Sequence, residues 1–71
     1  MLEKQGRVRT YAVNRGIGWI TFDDGSSDLP IYYYTLKQNG MEILRSNTKV
    51  LVTIEEKGGR QEITTIEKIN N

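Results

Sequence analysis

The chain has neither cysteine nor histidine among its 71 residues. Without cysteine it forms no disulfide, no thiolate metal site and no thiol nucleophile. Without histidine it lacks the most common metal ligand and the side chain that most often acts as a general base near neutral pH. Zinc centres and hydrolytic triads of the usual composition are therefore excluded. We expect a protein that is not an enzyme and that holds no metal or cofactor.

Long apolar runs are also missing, and the longest are only a few residues, such as Val-Leu-Val at residues 50–52. No segment is long enough to span a bilayer, and the amino terminus lacks the charged and then apolar pattern of a secretory signal. We therefore expect a cytoplasmic protein without membrane contact. A chain of this length predicts one domain, residues 1–71, which buries only about 60% of the surface that its unfolded form exposes.

Short β-rich runs separated by turn signals make up the rest of the sequence. Glycine and small polar residues recur at short intervals, a pattern typical of an all-β barrel or sandwich. Five runs are predicted to be strands, at residues 6–13, 16–22, 29–34, 49–56 and 61–69. The looser stretch between the third and fourth runs is expected to be a long loop with room for one helical turn. Five strands with one longer connection after the third match the five-stranded Greek-key barrel called the OB-fold.

The last predicted strand has an ambiguous pattern. Ile63, Ile66 and Ile69 are spaced by three residues, which is a helical spacing. The neighbouring threonines and the β-branched isoleucines favour a strand instead, and a β-bulge would shift the phase by the one residue required. A strand with such a bulge is therefore the preferred interpretation.

The second and third predicted strands carry the most unusual residues. Residues 15–20 read Arg-Gly-Ile-Gly-Trp-Ile, and glycine within a strand usually marks a bend, a bulge or a close backbone approach. Alternation places Ile17 and Trp19 on the outer face, and in the next strand it places Pro30 and Tyr32 there. If these strands pair, an exposed indole and phenol share one surface.

An exposed aromatic pair beside arginines is suited to stacking unpaired bases, and each stacked base contributes about 1–3 kcal/mol. Residues 1–22 hold four basic residues and one acidic residue, whereas residues 23–71 hold six basic and eight acidic residues. The basic first part includes Arg9 and Arg15. Contact with a protein and simple structural packing are the alternative roles of the same aromatic residues. The aspartates Asp23, Asp24 and Asp28 lie around a Gly-Ser turn, where such side chains usually hydrogen-bond the loop.

These segments resemble the cold-shock domain. The family's motifs Gly-x-Val-Lys-Trp-Phe-Asn, Lys-Gly-Phe-Gly-Phe-Ile and Asp-Val-Phe-Val-His-Phe correspond to Gly-Arg-Val-Arg-Thr-Tyr-Ala at residues 6–12, Arg-Gly-Ile-Gly-Trp-Ile at 15–20 and Asp-Leu-Pro-Ile-Tyr-Tyr at 28–33. An acidic-glycine loop, Asp-Asp-Gly-Ser at 23–26, lies between the last two. The resemblance covers about residues 2–66, nearly the whole chain.

The resemblance implies an OB-fold barrel that binds single-stranded RNA or DNA and often acts as a nucleic-acid chaperone. The residues implicated are Arg9, Tyr11, Arg15, Ile17, Trp19, Pro30, Tyr32 and Tyr33. The departures from the family pattern fall in the stacking positions, since Thr10, Ile17 and Pro30 stand where the family has aromatic residues. Met41 replaces a further aromatic residue, and Ala12 replaces an asparagine.

Two functions are consistent with these residues. The first is weak binding of single-stranded nucleic acid with little sequence preference, by a monomer. The alternative is a diverged barrel that contacts a protein partner through a mixed aliphatic and aromatic patch, with little nucleic-acid binding.

Overall fold

The computed structural model describes residues 2–69, which form five antiparallel strands and one short helix. The strands are β1 (Leu2–Ala12), β2 (Ile17–Phe22), β3 (Leu29–Tyr32), β4 (Lys49–Lys57) and β5 (Arg60–Lys68), and the helix α1 (Tyr33–Gln38) follows β3. All five predicted strands occur. β1 begins four residues earlier than predicted, because its first half pairs with β4 and its second half with β2. Within residues 2–69, no helix has the length and apolar character needed to cross a membrane.

β1 lies at the centre of a sheet with the strand order β3-β2-β1-β4-β5. Three consecutive strands are thus followed by a fourth that returns to lie beside the first, which is the Greek-key arrangement. The two outer strands, β3 and β5, approach each other, so the sheet curls into a nearly closed barrel. The predicted all-β Greek-key OB-fold is confirmed.

The barrel interior is filled by the inward side chains of every strand. Leu36 of α1 and Leu44 of the connection that follows complete this core. The core residues of the strands are Val8, Ile20, Phe22, Ile31, Val50, Val52, Ile54, Ile63 and Ile66. Tyr11, Leu29 and Met41 pack against this core from its margin. Complete burial of one such aliphatic side chain contributes about 1.5–3 kcal/mol, so a small core suffices only if nearly every inward position is apolar.

A β-bulge interrupts the pairing of β1 with β2. Val8 is opposite Ile20, but the next pair is Thr10 opposite Trp19, so Arg9 is the extra residue. A bulge shifts the side-chain phase of its strand by one position. Beyond Arg9, therefore, the even-numbered residues of β1 point outward, whereas before it they point into the barrel.

A second bulge lies in β5 and confirms the interpretation of the isoleucine spacing. Thr65 is opposite Thr53 and Ile63 is opposite Ile54, which leaves Thr64 as the extra residue. Ile63 and Ile66 are both buried for this reason, although they are three residues apart. The strand prediction is correct, and the helical spacing has a local cause.

β3 ends at Tyr32, two residues before the predicted end of the third strand, and α1 begins at Tyr33. The backbone N–H of Tyr33 donates to the carbonyl oxygen of Gly16 at 2.8 Å. Helix α1 then places Leu36 in the barrel core, where it is completely buried. The expectation that residues 29–34 form one strand is therefore wrong at Tyr33 and Tyr34, because the chain must turn to bring Leu36 to the core.

Gly18 allows the ring of Tyr11 to lie against β2. The two residues are opposite each other across β1 and β2. A Cβ at Gly18 would lie 2.6 Å from Cδ1 of Tyr11 and 2.7 Å from the carbonyl oxygen of Thr10. No side chain other than hydrogen fits there without moving the backbone of β1, so the glycine predicted to mark a close approach does so.

We expect Gly18→Ala to lower the free energy of unfolding by about 1–3 kcal/mol, because the added methyl group overpacks a contact that includes backbone. Urea denaturation followed by Trp19 fluorescence measures this change. Gly25→Asn is the matched control, since Gly25 has open space around it and a positive φ that asparagine tolerates. The control should stay within about 0.5 kcal/mol of the parent chain. Equal stability of the two variants would contradict the prediction.

The loop between β2 and β3 is held by one carboxylate. Asp24 accepts hydrogen bonds from the backbone N–H of Ser26 at 2.9 Å and from its hydroxyl at 2.6 Å. Lys4 of β1 lies 3.1 Å from the same carboxylate and donates to the hydroxyl of Ser26 at 2.9 Å. The Ser26 hydroxyl, then its N–H, then Lys4 lower the pKa of Asp24 from 3.8 to about 2. The predicted role of this aspartate in ordering the loop is confirmed.

Because the folded state lowers this pKa, the ionised Asp24 stabilises the fold at pH values above about 3.8, and that stabilisation is lost as the pH falls towards 2. We expect Ser26→Ala to raise the pKa of Asp24 and to shift this loss to higher pH. An NMR titration of the Asp24 carboxyl group, with unfolding measured between pH 4 and pH 2, tests both effects. Ser27→Ala, which removes the next hydroxyl along the loop, should leave the titration unchanged. An unshifted Asp24 in Ser26→Ala would show that the hydroxyl is not the main cause.

Candidate nucleic-acid interface

The outward surface of β1, β2 and β3 carries two rows of cross-strand neighbours. One row is Thr10, Trp19 and Pro30, and the other is Ala12, Ile17 and Tyr32. We call these six residues the Trp19 face. The bulge at Arg9 brings Thr10 and Ala12 of β1 into line with the outward positions of β2.

Trp19 and Tyr32 are the aromatic members of this face and lie diagonally across β2 and β3. Trp19 is opposite Pro30, two residues before Tyr32. Diagonal neighbours of this kind have Cβ atoms about 7–8 Å apart, within reach of aromatic side chains. The exposed fractions of the two side chains are 40% and 39%. Both rings are therefore partly accessible to solvent and partly packed against the protein. The predicted pairing of the second and third strands is confirmed.

The three non-aromatic replacements stand beside these two rings. Thr10 and Pro30 flank Trp19 in its own row, and Ile17 is the direct neighbour of Tyr32. The face is therefore one diagonal aromatic pair set among small and aliphatic side chains. Its stacking area is smaller than five aromatic residues at these positions would give.

Arg9 lies at the edge of the Trp19 face and is paired with a carboxylate. Its Nη1 donates to Oδ2 of Asp28 at 2.9 Å, and the two side chains are 67% and 25% exposed. An exposed pair of this kind contributes about 0–1 kcal/mol to stability. The guanidinium therefore remains within reach of an anion, but the anion must compete with Asp28 for it.

Arg15 lies beside the tyrosines rather than beside Trp19. A surface cavity of about 440 Å³ is lined by the β1–β2 turn, which includes Arg15 and Gly16, and by residues 32–34. The ammonium group of Lys37 lies 5.9 Å from the centre of the Tyr33 ring. Two positive groups thus adjoin the start of α1.

Tyr34 also belongs to the candidate site, although it was not predicted from the sequence. Its ring stacks on that of Tyr32 with the centroids 5.5 Å apart and the planes inclined by 3°. It is 60% exposed, more than any other aromatic side chain among residues 2–69. The predicted strand over residues 29–34 does not lead to this contact. The two rings meet because the chain turns into α1 after Tyr32. The run of three tyrosines just before a helix-compatible segment was the available signal.

Tyr11 lies on the other side of the sheet from Trp19. It is opposite the buried Gly18 and packs against the margin of the core. Burial, and then the phenol of Tyr33, raise the pKa of Tyr11. Of the eight residues that the sequence implicated, Tyr11 is thus the one turned inward by the bulge. Among residues 2–69, no three aspartate or glutamate side chains cluster closely enough to hold a metal ion.

Comparison with known proteins identifies relatives of the chain. The chain is 35% identical over 51 residues to the cold shock-like protein CspG of Escherichia coli K12, a match that covers 72% of this chain and 73% of that protein. The chain belongs to the cold-shock family. It is also 35% identical over 46 residues to the probable cold shock protein A of Mycolicibacterium smegmatis, covering 65% of this chain and 69% of that protein. No protein-family model matches the chain.

Membership in the cold-shock family confirms the resemblance drawn from the motifs on β1, β2 and β3. This cold-shock chain keeps the Gly-x-Gly-aromatic-Ile segment that forms β2 and the acidic loop held by Asp24. It differs from the family pattern on the outward surface, where Thr10, Ile17 and Pro30 replace aromatic residues.

Proposed function

We propose that the chain binds single-stranded RNA or DNA in the cytoplasm, weakly and with little sequence preference, as a monomer without catalytic activity. The observation that carries this proposal is the diagonal pair of Trp19 and Tyr32, exposed on one outward face of adjacent strands. Every base has a flat π surface, so stacking on such a pair is tolerant of sequence. Membership in the cold-shock family supports the same function.

Weak binding is expected from the number of rings. Stacking contributes about 1–3 kcal/mol for each base, and the Trp19 face offers two rings where the family pattern has more. The replacements at Thr10, Ile17 and Pro30 leave smaller side chains between them, against which a base edge makes only van der Waals contact. A weak, unselective binder is suited to keeping RNA single-stranded without holding it for long, which supports a chaperone role.

The positive charges are expected to contribute a modest, salt-sensitive attraction. The formal net charge is only +1, so long-range steering of a polyanion is small. Arg9 and Arg15 lie on either side of the Trp19 face and supply local phosphate contacts. Because Arg9 is paired with Asp28, a phosphate gains this contact only by displacing or sharing that carboxylate.

A protein-interaction surface is the second candidate. It is favoured by apolar side chains in and beside the Trp19 face, since Ile17 of this face is half-buried and Val13, which follows β1, is 61% exposed. Capture of partners from the native lysate, with and without nuclease, separates the two functions. Partners that all disappear after nuclease treatment would contradict this second function.

We expect Trp19 fluorescence to be quenched when a heptathymidylate is titrated into the protein at low salt, because a base stacks on the indole. Tyr32→Leu should weaken this binding by about fivefold or more, the lower end of what one stacked base contributes. Ile43→Ala is the control, since Ile43 is exposed in the connection between α1 and β4 and is not a member of the Trp19 face. Absence of quenching at strand concentrations of several hundred micromolar would contradict the proposed function.

We expect Asp28→Asn to strengthen binding at low salt, because it frees the guanidinium of Arg9 for a phosphate. One additional phosphate contact should also steepen the dependence of log Kd on log salt by about 0.7. Asp23→Asn removes the same charge from the same loop and is the matched control. Equal effects of the two variants would show that only net charge matters and that the Arg9–Asp28 pair does not limit phosphate contact.

A further inference from the structure

We propose that the Tyr32–Tyr34 pair and the groove beside it bind one further nucleotide of the strand that stacks on the Trp19 face. This inference rests on the proposed function and extends it to a second region of the surface. The bound strand would then run from β2 across β3 to α1 and the β4–β5 hairpin.

The two tyrosine rings form one aromatic stack, which begins at the Tyr32 end of the Trp19 face. They are nearly parallel, at 3°, with their centres 5.5 Å apart, which is an offset stack. Tyr32 belongs to the Trp19 face, whereas Tyr34 belongs to α1 and is 60% exposed. A strand that extends from Trp19 past Tyr32 therefore meets a further exposed ring.

A groove begins where the Trp19 face ends. It has a volume of about 580 Å³ and separates β3 and α1 from the β4–β5 hairpin. Pro30, Tyr32 and Tyr34 line one wall, and Arg60 and Gln61 line the other. This volume is within the range of sites that hold small organic ligands. Because Pro30 and Tyr32 belong to both the face and the groove, a strand can occupy the two together.

The chemistry of the groove fits a single nucleotide. Its tyrosine wall offers a surface for a planar base, and the amides of Gln38 and Gln61 supply donors and acceptors for a base edge. Arg60 supplies a cation for one phosphate. Lys57 also lines the groove, but its ammonium group lies 4.0 Å from the carboxylate of Glu62 and is partly neutralised by it.

The carboxylates of Glu55 and Glu62 limit the number of phosphates that the groove can bind. Glu55 and Glu62 line it together with Lys57 and Arg60, so its formal charge is balanced. A run of several phosphates would gain no net attraction there, whereas one phosphate placed at Arg60 would. The groove is therefore suited to the nucleotide that follows those on the Trp19 face, rather than to a separate length of strand.

The test compares a trithymidylate with a heptathymidylate, because only the longer strand reaches both regions. We expect Tyr34→Leu to weaken binding of the heptamer by about fivefold or more, and binding of the trimer by less than twofold, as followed by Trp19 fluorescence at low salt. Tyr34→Phe keeps the ring and should bind the heptamer like the parent chain. Since Tyr34 is mostly exposed, the variants should fold, and urea denaturation checks that they do.

The charge in the groove is tested with a matched pair of arginines. Arg60→Gln should weaken binding of the heptamer more than Arg45→Gln, which removes the same charge from an exposed residue between α1 and β4. Amide chemical shifts of Gln38 and Gln61 should move when the heptamer is added and should stay in place with the trimer. This measurement needs no substitution.

The outcomes separate this inference from the proposed function. If the parent chain fails to bind the heptamer, the proposed function fails and the inference falls with it. If the parent chain binds but Tyr34→Leu and Arg60→Gln behave like Tyr34→Phe and Arg45→Gln, the inference alone is overturned. Shifts at Gln38 and Gln61 that appear only with a protein partner in the lysate, and not with the heptamer, would overturn it as well.

Discussion

The extra residue at Arg9 determines which side chains of the first strand share a surface with Trp19. Without it, continued alternation from Val8 would turn Tyr11 outward and Thr10 inward. With it, Tyr11 turns to the core and covers Gly18, while Thr10 enters the outward row. The composition of the Trp19 face, the need for glycine at position 18 and the reach of Arg9 to Asp28 all depend on this one irregularity.

The sequence was sufficient to predict the barrel, but it did not predict every residue of the barrel's outward surface. The alternation of Val50, Val52 and Ile54 predicts an inward face directly, because the period of two is unbroken there. Alternation also places Trp19 and Tyr32 on one face. It fails for Tyr11, because the bulge at Arg9 shifts the alternation of β1 by one residue after Val8.

Two further features depend on contacts between residues far apart in the chain and were not predicted from the sequence. The turn into α1 is driven by the burial of Leu36, so the position of Tyr34 follows from core packing rather than from strand propensity. The ion pair between Arg9 and Asp28 joins residues of different strands, and a count of charges along the chain treats Arg9 as a free cation. Residues placed by regular alternation were predicted well, and so was the β5 bulge that the isoleucine spacing indicates. The β1 bulge, the turn into α1 and the Arg9–Asp28 pair were not predicted.

The hydrogen bond from Tyr33 to the carbonyl oxygen of Gly16 has a consequence for the thermodynamics of recognition. It fastens the start of α1 to the β1–β2 turn, where Gly16 has a φ of 66°. The backbone that carries Arg15 and the backbone that carries the three tyrosines are therefore joined directly at one corner of the barrel. A ligand bound at this corner would order mainly side chains, because the backbone segments are already joined. Less conformational entropy would then be lost on association. For the proposed ligand, this preorganisation would offset part of the contact area that a surface with few rings lacks.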